Sequence, residues 1–152
     1  MEKDIAPLST RAMPVSTKAT LDGKWTAFKI DIDPVAKPRQ TQQDKFMKRP
    51  PVLRYRAFAE ELSYKVRGLP VSYIDTIIFR IAMPKSWSRK RREQMLGMAH
   101  EAKPDFDNLA KAFYDALLKN DSAVWNVRLI KVWDYKGSIE VRCRQELYPP
   151  IL

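Results

Sequence analysis

Residues 74–83 read Ile-Asp-Thr-Ile-Ile-Phe-Arg-Ile-Ala-Met. Side chains alternate along a strand, so Ile77, Phe79, Ile81 and Met83 fall on one face. The other face still carries Ile78 and Ala82. A strand that is apolar on both faces has to be covered on both, which places it inside a sheet. The rest of the chain must therefore supply flanking strands and a covering layer. With 152 residues, 45% of them hydrophobic, there is enough chain for one domain with a proper core.

The remaining elements follow from periodicity. Residues 25–32 alternate, with Phe28, Ile30 and Ile32 on one face and Lys29 and Asp31 on the other, which predicts a half-buried strand. Residues 52–67 place Tyr55, Phe58, Ala59, Leu62 and Val66 on one helical face, and Gly68 and Pro70 end that helix. Ser88 is suited to cap a short helix ending near Gly97. A longer helix is predicted over 107–119, capped by Asp107, with Leu109, Ala112, Phe113, Ala116 and Leu117 as its apolar stripe. Residues 124–135 and 139–146 read as two strands joined in a hairpin by Lys136-Gly137-Ser138. The expected fold is α+β, a single domain with a mixed four-stranded sheet and helices packed against it, in the order β-α-β-(α)-α-β-β. Residues 1–23 are expected to form a flexible N-terminal tail and residues 24–148 the domain. Residues 35–51, polar and basic, predict a long loop, of a length that is usually functional or disordered.

Lys and Arg number 28 against 18 Asp and Glu, a formal net charge of +10. That balance favours a polyanionic partner, nucleic acid above all. Cys143 is the single cysteine, which excludes an intrachain disulfide and a zinc cluster, and it suits a small core position. The single histidine, His100, argues against a histidine-rich metal site and fits a surface or capping role. No apolar run approaches a membrane span, and the N-terminus lacks the apolar stretch of a secretory signal, so a soluble, cytoplasmic protein is expected. Lys37, Arg39 and Lys45 in the long loop, with Lys85, Arg89, Lys90, Arg91 and Arg92 beside Trp87, are candidate DNA-phosphate contacts. As a simpler role, the second group would be a solvated helix face.

The chemistry concentrates in Lys103-Pro104-Asp105-Phe106-Asp107-Asn108-Leu109-Ala110-Lys111, followed by Asn120-Asp121. Taken singly, Asp105 suits a turn, Asp107 a helix cap and Asp121 a loop. Taken together, three carboxylates repel one another unless a cation neutralises them, and hard oxygen donors suit Mg²⁺, with Mn²⁺ as a substitute. In an extended segment Asp105 and Asp107 share a side, and Phe106 between them is expected to point into the core. Asp105, Asp107 and Asp121 are thus the candidate metal ligands for one or two ions at a phosphodiester. Lys111, one turn after Asp107, could hold the scissile phosphate or neutralise transition-state charge. Alternatively, it forms a plain ion pair with Asp107 or Asp115. Asn108 is placed to fix a carboxylate rotamer.

At these residues the sequence resembles the RusA family of Holliday-junction resolvases. The family's core pattern reads here Asp105-Phe106-Asp107-Asn108-Leu109-Ala110-Lys111-Ala112, then Asp115-Ala116-Leu117, then Asn120-Asp121-Ser122-Ala123-Val124. Residues 83–88 and the Lys103-Pro104 lead-in also look like members of that family, and the likeness runs from about Trp25 to Glu146. The resemblance implies a Mg²⁺-dependent endonuclease that acts as a homodimer on four-way DNA junctions, nicking two symmetric strands. It also implies Asp105, Asp107 and Asp121 as catalytic metal-binding carboxylates and Lys111 as the catalytic lysine. Asn120 stands where some members have a further Asp. Two alternatives remain: a non-catalytic nucleic-acid-binding protein that keeps the fold, and a nuclease of flaps or other branched DNA. Trp125, Val127, Ile130 and Trp133, or the helix around Tyr55, are the apolar sets from which a dimer interface could be built.

Overall fold

The computed structural model describes residues 16–21, 25–39, 42, 49–67, 69 and 71–144. Five strands form one mixed sheet: β1 (Ser16–Leu21), β2 (Trp25–Ile30), β3 (Ile74–Ala82), β4 (Arg128–Asp134) and β5 (Ser138–Arg144). Among the described residues three helices accompany it: α1 (Pro50–Lys65), α2 (Arg89–Met95) and α3 (Phe106–Leu117). The strand order is β1-β2-β5-β3-β4. Strand β3 is interior, antiparallel to β5 on one side and parallel to β4 on the other. Its apolar residues thus have neighbours on both edges, as their pattern requires.

One face of the sheet is the core face. Phe28, Val141 and Ile77 form one cross-strand row, and Ile30, Ile139 and Phe79 the next. Against these rows pack Tyr55, Phe58 and Leu62 of α1 and Leu109, Ala112 and Phe113 of α3. Seven of these twelve side chains, among them Phe113, Ile30 and Ile139, are completely buried. On the reverse face Arg80 reaches Glu140 at 3.1 Å and Asp134 at 3.8 Å, and Arg142 reaches Glu140 at 3.0 Å. That face is half-polar, which is why the helices cover only the other.

Three expectations are corrected. First, Lys136-Gly137-Ser138 does not close a hairpin between neighbouring strands, because β3 lies between β4 and β5. Two strands flanking a third stand roughly 10 Å apart, a gap that three extended residues can span. Gly137 is buried here, and a Cβ on it would run into the Asp33 side chain. Second, part of the segment expected to be a tail is a strand: β1 pairs along its whole length with β2, Leu21 opposite Trp25. The Asp22-Gly23 dipeptide between them is a hairpin signal. The rest of the expected tail lies outside the described residues. Third, α3 starts at Phe106, so Asp105 and not Asp107 takes the N-cap position.

The short helix α2 begins as expected, with Ser88 accepting a hydrogen bond from the Arg91 N–H at 3.2 Å. It ends before Gly97, whose φ of 78° suits glycine. Residues 97–100 then run along the outer edge of β4, through Gly97 N–H to Trp133, Trp133 N–H to Met98 and His100 N–H to Lys131. His100 is not on the surface: it is 4% exposed, its ring 4.1 Å from that of Trp133. Burial and the nearby Lys131 push its pKa below the ordinary histidine value. Among the described residues no helix is long and apolar enough to cross a membrane.

Phe113 ties α3 to the sheet. Truncation to alanine is expected to cost about 3–5 kcal/mol, the usual loss for a fully buried phenylalanine. Urea unfolding of Phe113→Ala reads this as a lower midpoint with an unchanged slope.

Candidate active site

The start of α3 carries the acidic residues on backbone of two kinds. Asp105 is extended, with φ −72° and ψ 147°. Its carboxylate does not cap the helix; it accepts from Lys103 Nζ at 2.9 Å. Asp107 is already helical, in the first turn, where the helix dipole favours a negative charge. Its Oδ1 accepts from the Asn108 N–H at 2.9 Å. The expected support from Asn108 therefore comes through its backbone. Phe106 between the two is 56% exposed, against the expectation that it enters the core. Helical geometry from residue 106 onward removes the strand alternation that would have turned it inward. The Lys103–Pro104 peptide bond is cis. Glu101, Ala102, Lys103, Asp105, Phe106, Asp107 and Lys131 line one open depression.

Further along α3 the charges alternate on one face. Asp107, Lys111 and Asp115 are four residues apart and fall in line. Lys111 Nζ lies 2.9 Å from Asp121 Oδ2 and 3.6 Å from Asp115 Oδ1. Of its two expected partners only Asp115 is engaged, and Asp121 is nearer. Asp121 opens a short 3₁₀ turn, Asp121–Ala123, which Asn120 caps by accepting from the Ser122 N–H at 3.0 Å. The turn thus brings the exit loop back over the side of α3.

Asp115 is paired a second time, with Lys37. Lys37 also donates its backbone N–H to the Asn108 carbonyl at 3.2 Å. Its ammonium lies 5.9 Å from the centre of the Tyr55 ring. Lys37 is therefore bound into the face of α3. The result is a chain of alternating charge, Lys37–Asp115–Lys111–Asp121. The hydrogen bond and charge of Lys111 hold the Asp121 carboxyl below the usual carboxylate range. Asp121, then Asp115, raise the pKa of Lys111. Asp105 does the same for Lys103.

The carboxylates thus stand in two groups, Asp105 with Asp107 and Asp115 with Asp121. Among the described residues no three acidic, histidine or cysteine side chains come together as a metal cluster. The donor chemistry still fits a hard divalent cation, since every donor is a carboxylate oxygen. The Asp105 and Asp121 side chains are 48% and 42% exposed, so solvent and ions reach them. Lys103 and Lys111 supply the countercharge that such an ion would otherwise provide.

The basic arm is anchored by aromatic rings. Arg91 lies 3.9 Å above the Trp87 ring, and Trp87 packs on Trp133 with centroids 4.8 Å apart. Arg92 is half-buried, 5.4 Å from the Tyr135 ring. Arg89 pairs with Glu93 at 3.0 Å, an exposed contact of little energy. Lys85, Arg89, Lys90 and Arg91 are all exposed. Arg39 is exposed as well, and its carbonyl accepts from the Arg49 guanidinium at 2.8 Å. Lys45 lies outside the described residues.

Sequence reasoning missed Lys131. Its ammonium donates to the carbonyls of Ala102 and Pro104, both at 2.6 Å. The signal was present as a lone cation within Leu129-Ile130-Lys131-Val132-Trp133.

The Lys111–Asp121 pair makes a titration prediction. A carboxylate with a depressed folded pKa contributes stability above its unfolded pKa, which is lost as pH falls through the folded value. Lys111→Met is expected to move the Asp121 carboxyl back up towards the usual aspartate range. A ¹³C NMR titration of the side-chain carboxyls measures this, and an unmoved Asp121 would contradict the pairing.

Residues 31–144 match the family model described as endodeoxyribonuclease RusA. No curated protein matches the chain. The matched region runs from the end of β2 through α3 and the Asp121 turn to the end of β5, three quarters of the sequence, and so the chain belongs to the RusA endodeoxyribonuclease family.

Proposed function

We propose that this protein is a divalent-cation-dependent endonuclease that resolves four-way DNA junctions by paired, symmetric nicks, acting as a homodimer in the cytoplasm. The observation that carries the reading is the Lys111–Asp121 pair, formed between α3 and the turn after it, on the helix that carries Asp107 in its first turn, in an endodeoxyribonuclease-family chain of net charge +10. Asp105, Asp107 and Asp121 would hold Mg²⁺ or Mn²⁺. A bound ion of this kind supplies Lewis acidity and neutralises charge at a phosphodiester. The protein's own groups do the rest. The Asn108 N–H holds the Asp107 carboxylate in one rotamer. Lys111, its pKa raised, keeps its proton at neutral pH and offers a fixed positive charge to the developing negative charge on the phosphate. Lys85, Arg89, Lys90 and Arg91 would contact flanking phosphates, fixing the position of the DNA without reading its sequence. Two coordinated nicks on a two-fold symmetric junction suit a C2 dimer.

The pairing of Asp105 and Asp121 with lysines also fits a second reading, a protein that binds branched DNA and does not cut it. One experiment separates the two. Purified protein is incubated with an end-labelled four-way junction in Mg²⁺, in Mn²⁺ and in EDTA, beside Asp107→Asn. Symmetric nicks are expected with either ion and none in EDTA. Asp107→Asn is expected to lose more than about 100-fold in rate, beyond what removal of a merely supporting residue costs. Junction affinity should hold or rise, because a negative charge near phosphates is gone. Tight binding with no products in either ion would establish the second reading instead.

A further inference from the structure

We infer that Lys131 is a positioning residue for the acidic turn: its ammonium, reaching out from β4, holds the Ala102 and Pro104 carbonyls and so fixes where Asp105 and Asp107 stand. The inference rests on the nuclease reading only for what those two aspartates do; the clamp itself rests on geometry.

Lys131 lies opposite Phe79 in the parallel β3–β4 pair, amid apolar neighbours. A lysine there is partly removed from water, and burial pulls its pKa down. An ammonium in such a place is costly unless its donors find acceptors. Two of its three donors do so, on the carbonyls of Ala102 and Pro104 at 2.6 Å each. Hydrogen bonds from a charged donor are about twice as strong as neutral ones.

The acceptors are what give the contact its meaning. Residues 101–105 belong to neither a helix nor a strand. Residue 104 immediately precedes Asp105, and Asp107 is two residues further on. The same strand position holds the approach to the turn, since the Lys131 carbonyl accepts from the His100 N–H at 3.0 Å. One residue of β4 thus ties both the backbone entering the turn and the backbone leaving it. Lys131 also lines the depression shared by Asp105 and Asp107, where it adds a fixed cation.

A purely structural lysine would give a different mutational pattern, so the test compares two variants of the full-length protein. Lys131→Met keeps the length of the side chain and loses the donors. Lys131→Arg keeps charge and donors. For Lys131→Met, kcat on the four-way junction is expected to fall about 10–100-fold, the usual range for residues that orient metal ligands. KM is expected to stay within about twofold, because the contacts to the rest of the DNA are untouched. Amide hydrogen exchange should accelerate at residues 101–107 and not in β2 or β5. Lys131→Arg should recover most of the rate and the protection. Wild-type rate in Lys131→Met would overturn the inference. So would a general loss of protection with kcat and KM both affected and no rescue by arginine. If the wild-type protein itself cuts nothing in Mg²⁺ or Mn²⁺, the nuclease reading fails separately. The exchange measurement then decides the clamp alone: faster exchange at residues 101–107 supports it, and unchanged exchange overturns it.

Discussion

Strand β3 has one apolar face, a second on which Ile78 stands between Thr76 and Arg80, and two open edges, and the rest of the fold answers that problem. Each of its residues from Thr76 to Arg80 has a partner in β4 and another in β5. Placing β5 on one edge and β4 on the other keeps both partners from pairing with each other, although only Tyr135-Lys136-Gly137 separates them in sequence. A parallel β4 in turn demands a long crossover from the end of β3. That crossover contains α2, the turn at residues 101–105, α3 and the Asp121 turn, and therefore Asp105, Asp107, Lys111, Asp115 and Asp121, while Lys37 and Lys131 lie outside it. The burial requirement of one strand thus sets where the acidic turn can lie: beside β4, at the outer part of the sheet, open to a large substrate.

Charge compensation governs the site built there. Asp105 faces Lys103, Asp121 faces Lys111, and Asp115 faces both Lys111 and Lys37. Such exposed pairs contribute little stability singly. Their effect is on ionisation: they hold the Asp121 carboxyl below the usual carboxylate range and raise the pKa of Lys103 and Lys111. Lys131 differs from these because its partners are backbone carbonyls. It has no carboxylate to exchange, so it can hold the turn while the others change partners.

The sequence disclosed those parts of the molecule in which periodicity and burial coincide. The stripe Leu109, Ala112, Phe113 lies in the core, and Phe28, Ile30 and Ile32 are buried together, as their spacing requires. Ser88 caps α2 because a hydroxyl before a helix has a local task that needs no tertiary information. Strand order was less legible. The turn after β4 has hairpin composition, but composition cannot report that a third strand claims the space between. Phe106 was misplaced because one residue's shift of a helix start changes the side-chain period from 2 to 3.6. His100 was misplaced because its burial depends on Trp133, more than thirty positions away. The candidate site was legible as a set of residue types and not as an arrangement. The motif named Asp105, Asp107, Asp121 and Lys111, but which lysine faces which carboxylate depends on how the exit loop folds back.

Those pairings bear on how such a site could accept DNA. An acidic turn on its own repels phosphates, and a strongly basic one would hold them without selectivity. Alternating charge on one helix face avoids both. On the nuclease reading, Asp105 and Asp121 would hold the ion with the carboxylates that now accept from Lys103 and Lys111, and those ammoniums would then be available to a phosphate. Metal binding and phosphate contact would then be coupled through Asp105 and Asp121, the groups exchanged. The exchange requires that the carboxylates keep their positions while their partners leave. Asp107 is held by the Asn108 N–H, and the backbone before Asp105 is held from β4 by Lys131. Neither support involves a carboxylate–lysine pair, so the places of Asp105 and Asp107 do not depend on which cation the carboxylates face.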